Sequence, residues 1–251
     1  MQFYILTSTD YNALVRHFNV AYSNIQVEDA VVVINSLDKE YIEKAKNFCI
    51  EQKIEYYITE SNGTPAKGKN SVLEIFLESN NDYCVMVDGD DFLTPHGVWM
   101  YKNLEKSDSP PDAVCLINQK SFRHINNTLY SLQPFTVNYG ELLNSDYYTM
   151  FKEDYGLSSE KAMYFQSLHY KFYAQHRKYS QDYEVHCRVT WLSKKAAQFK
   201  FDEDIAVGED TLHMFELKNQ AVLGNLKFYT TDETPATYVY DERTAGTVMS
   251  V

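Results

Sequence analysis

The chain has 251 residues, 44% hydrophobic and 23% charged, with a formal net charge of −12. That length fits one large domain or two small ones and can bury a substantial core. No apolar run approaches the roughly 20 residues needed to span a bilayer, and the overall negative charge argues against nonspecific nucleic-acid binding.

Taken in chain order, the first half alternates between strand and helix. FYILT (3–7) is a short apolar strand, and a helical pattern follows over 11–22 with Asp10 placed as its cap. AVVVIN (30–35) is a β-branched run suited to a buried strand. Residues 36–53 carry Ile42, Ala45, Phe48 and Cys49 at helical spacing. IEYYIT (54–59) is a third strand, and SNGTPAKGK (61–69) reads as a loop from its Gly, Pro and Asn content. A helix over 71–79, a strand YCVMVD (83–88), a helix after Pro95 and a strand DAVCLIN (112–118) complete the series. After Asn118 the pattern loosens into aromatic-rich stretches, with a helix expected near 158–176. No repeat, low-complexity tract or linker separates a second domain. Strand–helix–strand repetition with continuously apolar strands predicts an α/β fold with a mostly parallel sheet covered on both faces. Ligands of such sheets bind at the carboxyl ends of the strands.

The N-terminus MQFYILTSTDYN has no basic stretch and a four-residue apolar run, so it does not read as a signal peptide. The four cysteines (Cys49, Cys84, Cys115, Cys187) form no CxxC pair. They are expected to be reduced thiols of a cytoplasmic protein, with no zinc site.

The fourth strand runs directly into Asp88, Asp90 and Asp91. A solvated turn would explain the charge blandly. A divalent cation site explains it better, because hard carboxylate oxygens suit Mg²⁺ or Mn²⁺. The segment is not an EF-hand: counted from Asp88, loop position 6 is Leu93 and position 12 is Trp99, where Gly and Glu are needed.

VDGDDFLTP (87–95) resembles the D-x-D-D segment of family 2 glycosyltransferases of the GT-A fold. Two neighbours share the resemblance. Upstream, the Gly-containing loop, Lys69-Asn70, a helix and a strand ending in D-x-D-D follow the family's order, with Lys69-Asn70 in place of Arg-Asn. Downstream, FDEDIAVGEDTLHMFEL (201–217) is similar to the family's F-D-E…G-E-D…L segment, where a Glu-Asp pair begins a helix under the acceptor site. A carboxylate at a helix N-terminus is favoured as the anion, as a general base requires.

The resemblance implies a GT-A domain over 1–251, with a nucleotide-sugar donor half at 1–118 and an acceptor half at 119–251 carrying the base. It implies Asp88, Asp90 and Asp91 as metal ligands for Mn²⁺ or Mg²⁺, Asp210 as the base and Glu209 in support. Thr7, Asn35, Lys69, Asn70, Asp88 and Arg243 fall on donor-binding positions. One departure stands out: family members commonly end the second strand in acidic residues that read the base, whereas here Asn35-Ser36 precede Asp38. His213 and His186 are expected as ordinary surface histidines, with a metal or acceptor contact as the alternative.

Two other readings compete. Gly63 to Asn70 spells G-x-x-x-x-G-K-N, one residue short of a P-loop, but Asn70 replaces the Mg²⁺-ligating Ser/Thr and Pro65 removes a phosphate-cradling N–H. A non-catalytic nucleotide-sugar or glycan-binding module of the same fold is the second. The acceptor is left between a glycan and a modified DNA base. Residues 161–200 carry eight Lys/Arg against two acids and are interleaved with Tyr, Phe and Trp191. Such a face suits stacked sugars or a nucleic-acid backbone. No membrane partner is expected.

Overall fold

The computed structural model describes residues 1–19, 23–116, 120–125, 128–131, 137–138, 158–160, 163, 182–183, 188–205, 209–231 and 238–241. Its strands are β1 (Gln2–Thr7), β2 (Ala30–Asn35), β3 (Glu55–Thr59), β4 (Tyr83–Asp88), β5 (Phe92–Leu93), β6 (Ala113–Leu116), β7 (Lys120–Ile125), β8 (Thr128–Ser131), β9 (Val137–Asn138), β10 (Asp182–Tyr183), β11 (Arg188–Ser193), β12 (Phe228–Thr231) and β13 (Tyr238–Asp241). Among the described residues the α-helices are α1 (Tyr11–Arg16), α2 (Lys39–Gln52), α3 (Pro65–Glu78), α4 (Pro95–Glu105) and α5 (Glu209–Val222).

Seven strands form one sheet in the order β12-β6-β11-β4-β1-β2-β3. Only the β11 pairings, to β4 and β6, are antiparallel within it. β2 is buried at every residue, because helices cover both faces. Tyr4, Val31, Val33 and Met86 pack with Ala66, Leu73 and Phe76 of α3 and Leu212 and Phe215 of α5. The alternate residues Phe3, Ile5, Val32 and Val87 pack with Leu14 of α1, Phe48 of α2 and Tyr101 of α4. The period of two therefore sends successive side chains into two separate cores. A second sheet, β5-β13-β7-β8, and the pair β10-β9 lie outside this one.

The chain runs β1 to β2 to β3 in one direction and then returns to place β4 on the other side of β1. This reversal opens a crevice at the carboxyl ends of β1 and β4, where α/β sheets take their ligands. Leu6 is in register with Asp88.

Two boundaries differ from the sequence expectation by more than three residues. The helix expected over 11–22 ends at Arg16, with His17 as its C-cap. The loop expected over 61–69 stops at Thr64, whose hydroxyl accepts from Lys67 N at 3.3 Å while Pro65 occupies the first helical turn. An N-cap threonine followed by proline is a strong helix start, and it outweighs Gly68 inside the first two turns. Gly68 and Lys69 are thus helical, not residues of a phosphate-wrapping loop, which removes the structural basis of the P-loop reading. Among the described residues, no helix is long and apolar enough to cross a membrane.

Candidate functional site

The end of β4 turns sharply: Asp91 N donates to Asp88 O at 3.0 Å. The turn passes so close to β1 that a Cβ on Gly89 would lie 2.6 Å from Leu6 O and 2.9 Å from Thr7 Cα. Both obstacles are backbone atoms, so only glycine fits between the two outer aspartates. The geometry gathers Asp88, Asp90 and Asp91 so that one carboxylate oxygen of each lies within 4.8 Å of the others. Asp91 is only 1% exposed.

The other two parts of the candidate site converge on this turn through Lys69. Its Nζ donates to Glu209 Oε1 at 2.8 Å and Asp210 Oδ1 at 2.5 Å, and lies 3.7 Å from Asp88 Oδ2. The side chain is 3% exposed. It also lies 5.6 Å from the centre of the Phe201 ring. Being helical, Lys69 approaches from the α3 face and bridges α5 to β4. In this structure its ammonium bonds carboxylates, where the resemblance implied a donor-binding role.

Asn70 has a different task. Its side chain donates to Phe201 O at 3.0 Å and Glu203 Oε1 at 2.8 Å, and its oxygen accepts from Phe201 N at 2.8 Å. It pins the Phe201–Glu203 stretch that precedes α5. Lys69 and Asn70 together therefore fix where Glu209 and Asp210 stand.

Thr7 and Asn35 end β1 and β2 and are both nearly buried. Thr7 Oγ1 is hydrogen-bonded to Tyr41 Oη, and burial pushes the Tyr41 hydroxyl up to about 12. Asn35 Nδ2 donates to Thr59 Oγ1 at 2.8 Å and Glu60 O at 3.0 Å. A backbone carbonyl can only accept, so the Glu60 contact fixes which end of the amide is nitrogen. Its oxygen faces Gly68, where a Cβ would come within 3.2 Å. The amide oxygen of Asn35 is thus a neutral acceptor lying against α3. Arg243 and His186 lie outside the described residues.

His213 was expected at the helix surface. It is instead buried, stacked on Phe201 with ring centres 3.9 Å apart and bonded to Phe199 O at 2.9 Å. Burial pulls its pKa down to about 4, against the opposing Phe199 hydrogen bond. It is a neutral packing group beneath Asp210.

The basic, aromatic segment 161–200 lies largely outside the described residues. Its described part serves the fold. Trp191 is fully buried, stacks on Tyr83 with centres 4.6 Å apart and donates to Pro111 O. Lys194 Nζ caps the end of α3 at Leu77 O and Ser79 O, and Lys200 pairs with Glu74. Trp191 is thus a core residue, while Lys195 and Lys200 stay at the surface.

Sequence reading missed Arg16 and His17. Arg16 Nη2 donates to Asp90 O at 2.7 Å, and His17 Nε2 donates to Gly89 O at 3.2 Å. Burial, reinforced by the Arg16 charge, pulls the His17 pKa down to about 3. The helical pattern expected over 11–22 placed both in mid-helix, and no local signal ties them to a turn more than seventy residues away.

In charge, the group holds five carboxylates (Asp88, Asp90, Asp91, Glu209, Asp210) against the two cations Lys69 and Arg16. Three hard-oxygen residues at one point and an excess of negative charge fit a divalent cation. Asp88, Asp90 and Asp91 are the residues that would hold it.

No protein-family model matches the chain, and no curated protein matches it. Solved structures do. S. aureus TarS 1–349 in complex with UDP-GlcNAc superposes with a TM-score of 0.54 at 14% identity, covering 97% of this chain and 59% of that one. The mannosyltransferase PcManGT from Pyrobaculum calidifontis, in complex with GDP-Man and Mn²⁺, gives 0.50 at 10% identity, covering 95% and 56%. The chain thus spans a little over half the length of either. The seven-stranded mixed sheet flanked by helices is the GT-A fold.

Proposed function

We propose that the chain is a metal-dependent glycosyltransferase that moves a sugar from a nucleoside-diphosphate donor to an acceptor hydroxyl with inversion. The observation that carries this reading is the meeting of three distant segments at the crevice between β1 and β4: the acidic turn, Lys69 and the Glu209-Asp210 helix start. The two similar structures were solved with nucleotide sugars, one of them also with Mn²⁺.

In this reading Asp88, Asp90 and Asp91 hold Mn²⁺ or Mg²⁺, which when bound supplies positive charge to the leaving diphosphate. Thr7 and Asn35 stand at the neighbouring strand ends, on the nucleoside side of the donor. Asp210 takes the proton of the acceptor hydroxyl, whose oxygen forms the new bond to the anomeric carbon as the bond to the diphosphate breaks. The α5 N-terminus favours the anionic form this task needs. Glu209, nearly buried against Lys69, supports it, and Lys69 fixes the direction of the Asp210 carboxylate. Arg243, outside the described residues, is proposed as a further partner of the diphosphate.

The acceptor is proposed to be a glycan hydroxyl. Trp191 is buried within the fold and Lys194 caps α3, so these two lend no support to a modified DNA base.

The test is release of nucleoside diphosphate from a panel of UDP- and GDP-sugars with Mn²⁺, with and without candidate acceptors, read by chromatography. Release from at least one donor is expected. No release from any donor, combined with donor binding by thermal shift, would instead favour a non-catalytic nucleotide-sugar-binding module.

A further inference from the structure

The three carbonyls of the acidic turn are all engaged. Asp88 O accepts from Asp91 N at 3.0 Å, Gly89 O from His17 Nε2 at 3.2 Å and Asp90 O from Arg16 Nη2 at 2.7 Å. The last two donors come from the end of α1, which packs on the sheet face opposite α3 and α5. The turn is therefore gripped from both faces: by Lys69 at the carboxylate of Asp88, and by α1 at the main chain.

The grip is costly to build. Arg16 is 8% exposed, with its guanidinium 4.7 Å above the Phe92 ring. His17 is fully buried, and among the described residues its Nδ1 has no hydrogen-bond partner. A buried polar atom left unbonded is destabilising. An apolar side chain would avoid that cost, but it could not donate to Gly89 O. A merely solvated turn would need neither buried group, since water would satisfy its carbonyls.

We infer that Arg16 and His17 are positioning residues of the acidic turn, which set its affinity for a divalent cation by fixing the backbone from which Asp88, Asp90 and Asp91 project. With the carbonyls held from α1, the carboxylates gather at one point, those of Asp88 and Asp90 partly exposed and that of Asp91 buried. The Arg16 charge also offsets part of the repulsion among three clustered carboxylates before a cation arrives. Outer partners of this kind typically change metal affinity 10–100-fold. The inference rests on the proposed reading of the three aspartates as cation ligands.

The experiment titrates Mn²⁺ alone, without nucleotide, into the full chain, reading free Mn²⁺ by electron paramagnetic resonance. Thermal unfolding in EDTA checks each variant's fold. His17→Leu is expected to weaken Mn²⁺ binding 10–100-fold, and Arg16→Met about 10-fold. His17→Gln, whose amide nitrogen reaches a position similar to Nε2, is expected to recover most of the loss. A folded His17→Leu protein that binds Mn²⁺ like the wild type overturns the inference, as does a His17→Gln protein as weak as His17→Leu. If His17→Leu does not fold, Arg16→Met decides on the same criterion. Absence of Mn²⁺ binding by the wild type overturns the cation reading itself, and this inference with it; normal wild-type binding with unaffected variants overturns this inference alone.

Discussion

Replacing Lys69 by methionine keeps most of the side-chain volume and removes one charge. That charge lies 2.8 Å from Glu209, 2.5 Å from Asp210 and 3.7 Å from Asp88. At the effective dielectric of a protein site, each such contact corresponds to about 5 kcal/mol of attraction before desolvation is counted. Most of it is offset by the cost of burying the ammonium. The uncompensated carboxylates then dominate: breaking a buried pair from one side costs about 3–5 kcal/mol. Asp210 is partly exposed and water can reach it, so the lower end, about 3 kcal/mol, is expected. Urea unfolding in EDTA measures this without help from a cation. The same substitution frees the Asp210 carboxylate to turn, and a displacement of about 1 Å at a reacting group costs about 100-fold in rate. A double-mutant cycle with Asp210→Asn isolates the contact and should give a coupling of about 1–3 kcal/mol. A Lys69→Met protein within about 1 kcal/mol of wild type, with unchanged transfer, would refute the view that Lys69 joins the two halves of the site.

Further outcomes follow from the same geometry. Asp210→Asn should abolish sugar transfer while leaving donor affinity, measured calorimetrically with Mn²⁺, within a few-fold of wild type; retained transfer would put the base elsewhere. Gly89→Ala forces a methyl group against Leu6 O and Thr7 Cα and should cost about 1–3 kcal/mol, together with a clear loss of Mn²⁺ affinity in the same titration. His213 takes up a proton near pH 6.5 when unfolded but only near 4 when folded. Its contribution to stability is therefore fully present above about pH 6.5 and is lost as pH falls toward 4, at about 1.4 kcal/mol per pH unit. Denaturation series from pH 7 to 4.5 should show a shallower slope for His213→Phe than for wild type; equal slopes would mean that the imidazole titrates normally in the fold.

The parallel sheet was legible because its strands are continuous apolar runs, which only burial on both faces can use. AVVVIN occupies Ala30–Asn35 in both the reading and the structure. The acidic turn was equally plain, since a buried strand ending in three aspartates is a local feature. Helix starts were harder where two local rules conflict: the Gly and Pro of 61–69 suggested a loop, while Thr64-Pro65 capped a helix that carries Lys69 inward.

What tertiary structure alone decided is the use of each polar group. A sequence states that Lys69, Glu209 and Asp210 exist; it does not state that one ammonium binds both carboxylates across 140 residues. His213 shows the same limit, since its burial depends on Phe199 and Phe201 folding over it. Arg16 and His17 show it most fully. Their role is to bond main-chain carbonyls, and every residue has a carbonyl, so no side-chain pattern marks the partner. Periodicity reports which face of an element is buried. Which hydrogen bond a buried group then makes depends on strands brought together from opposite ends of the chain, and only the closed fold fixes that.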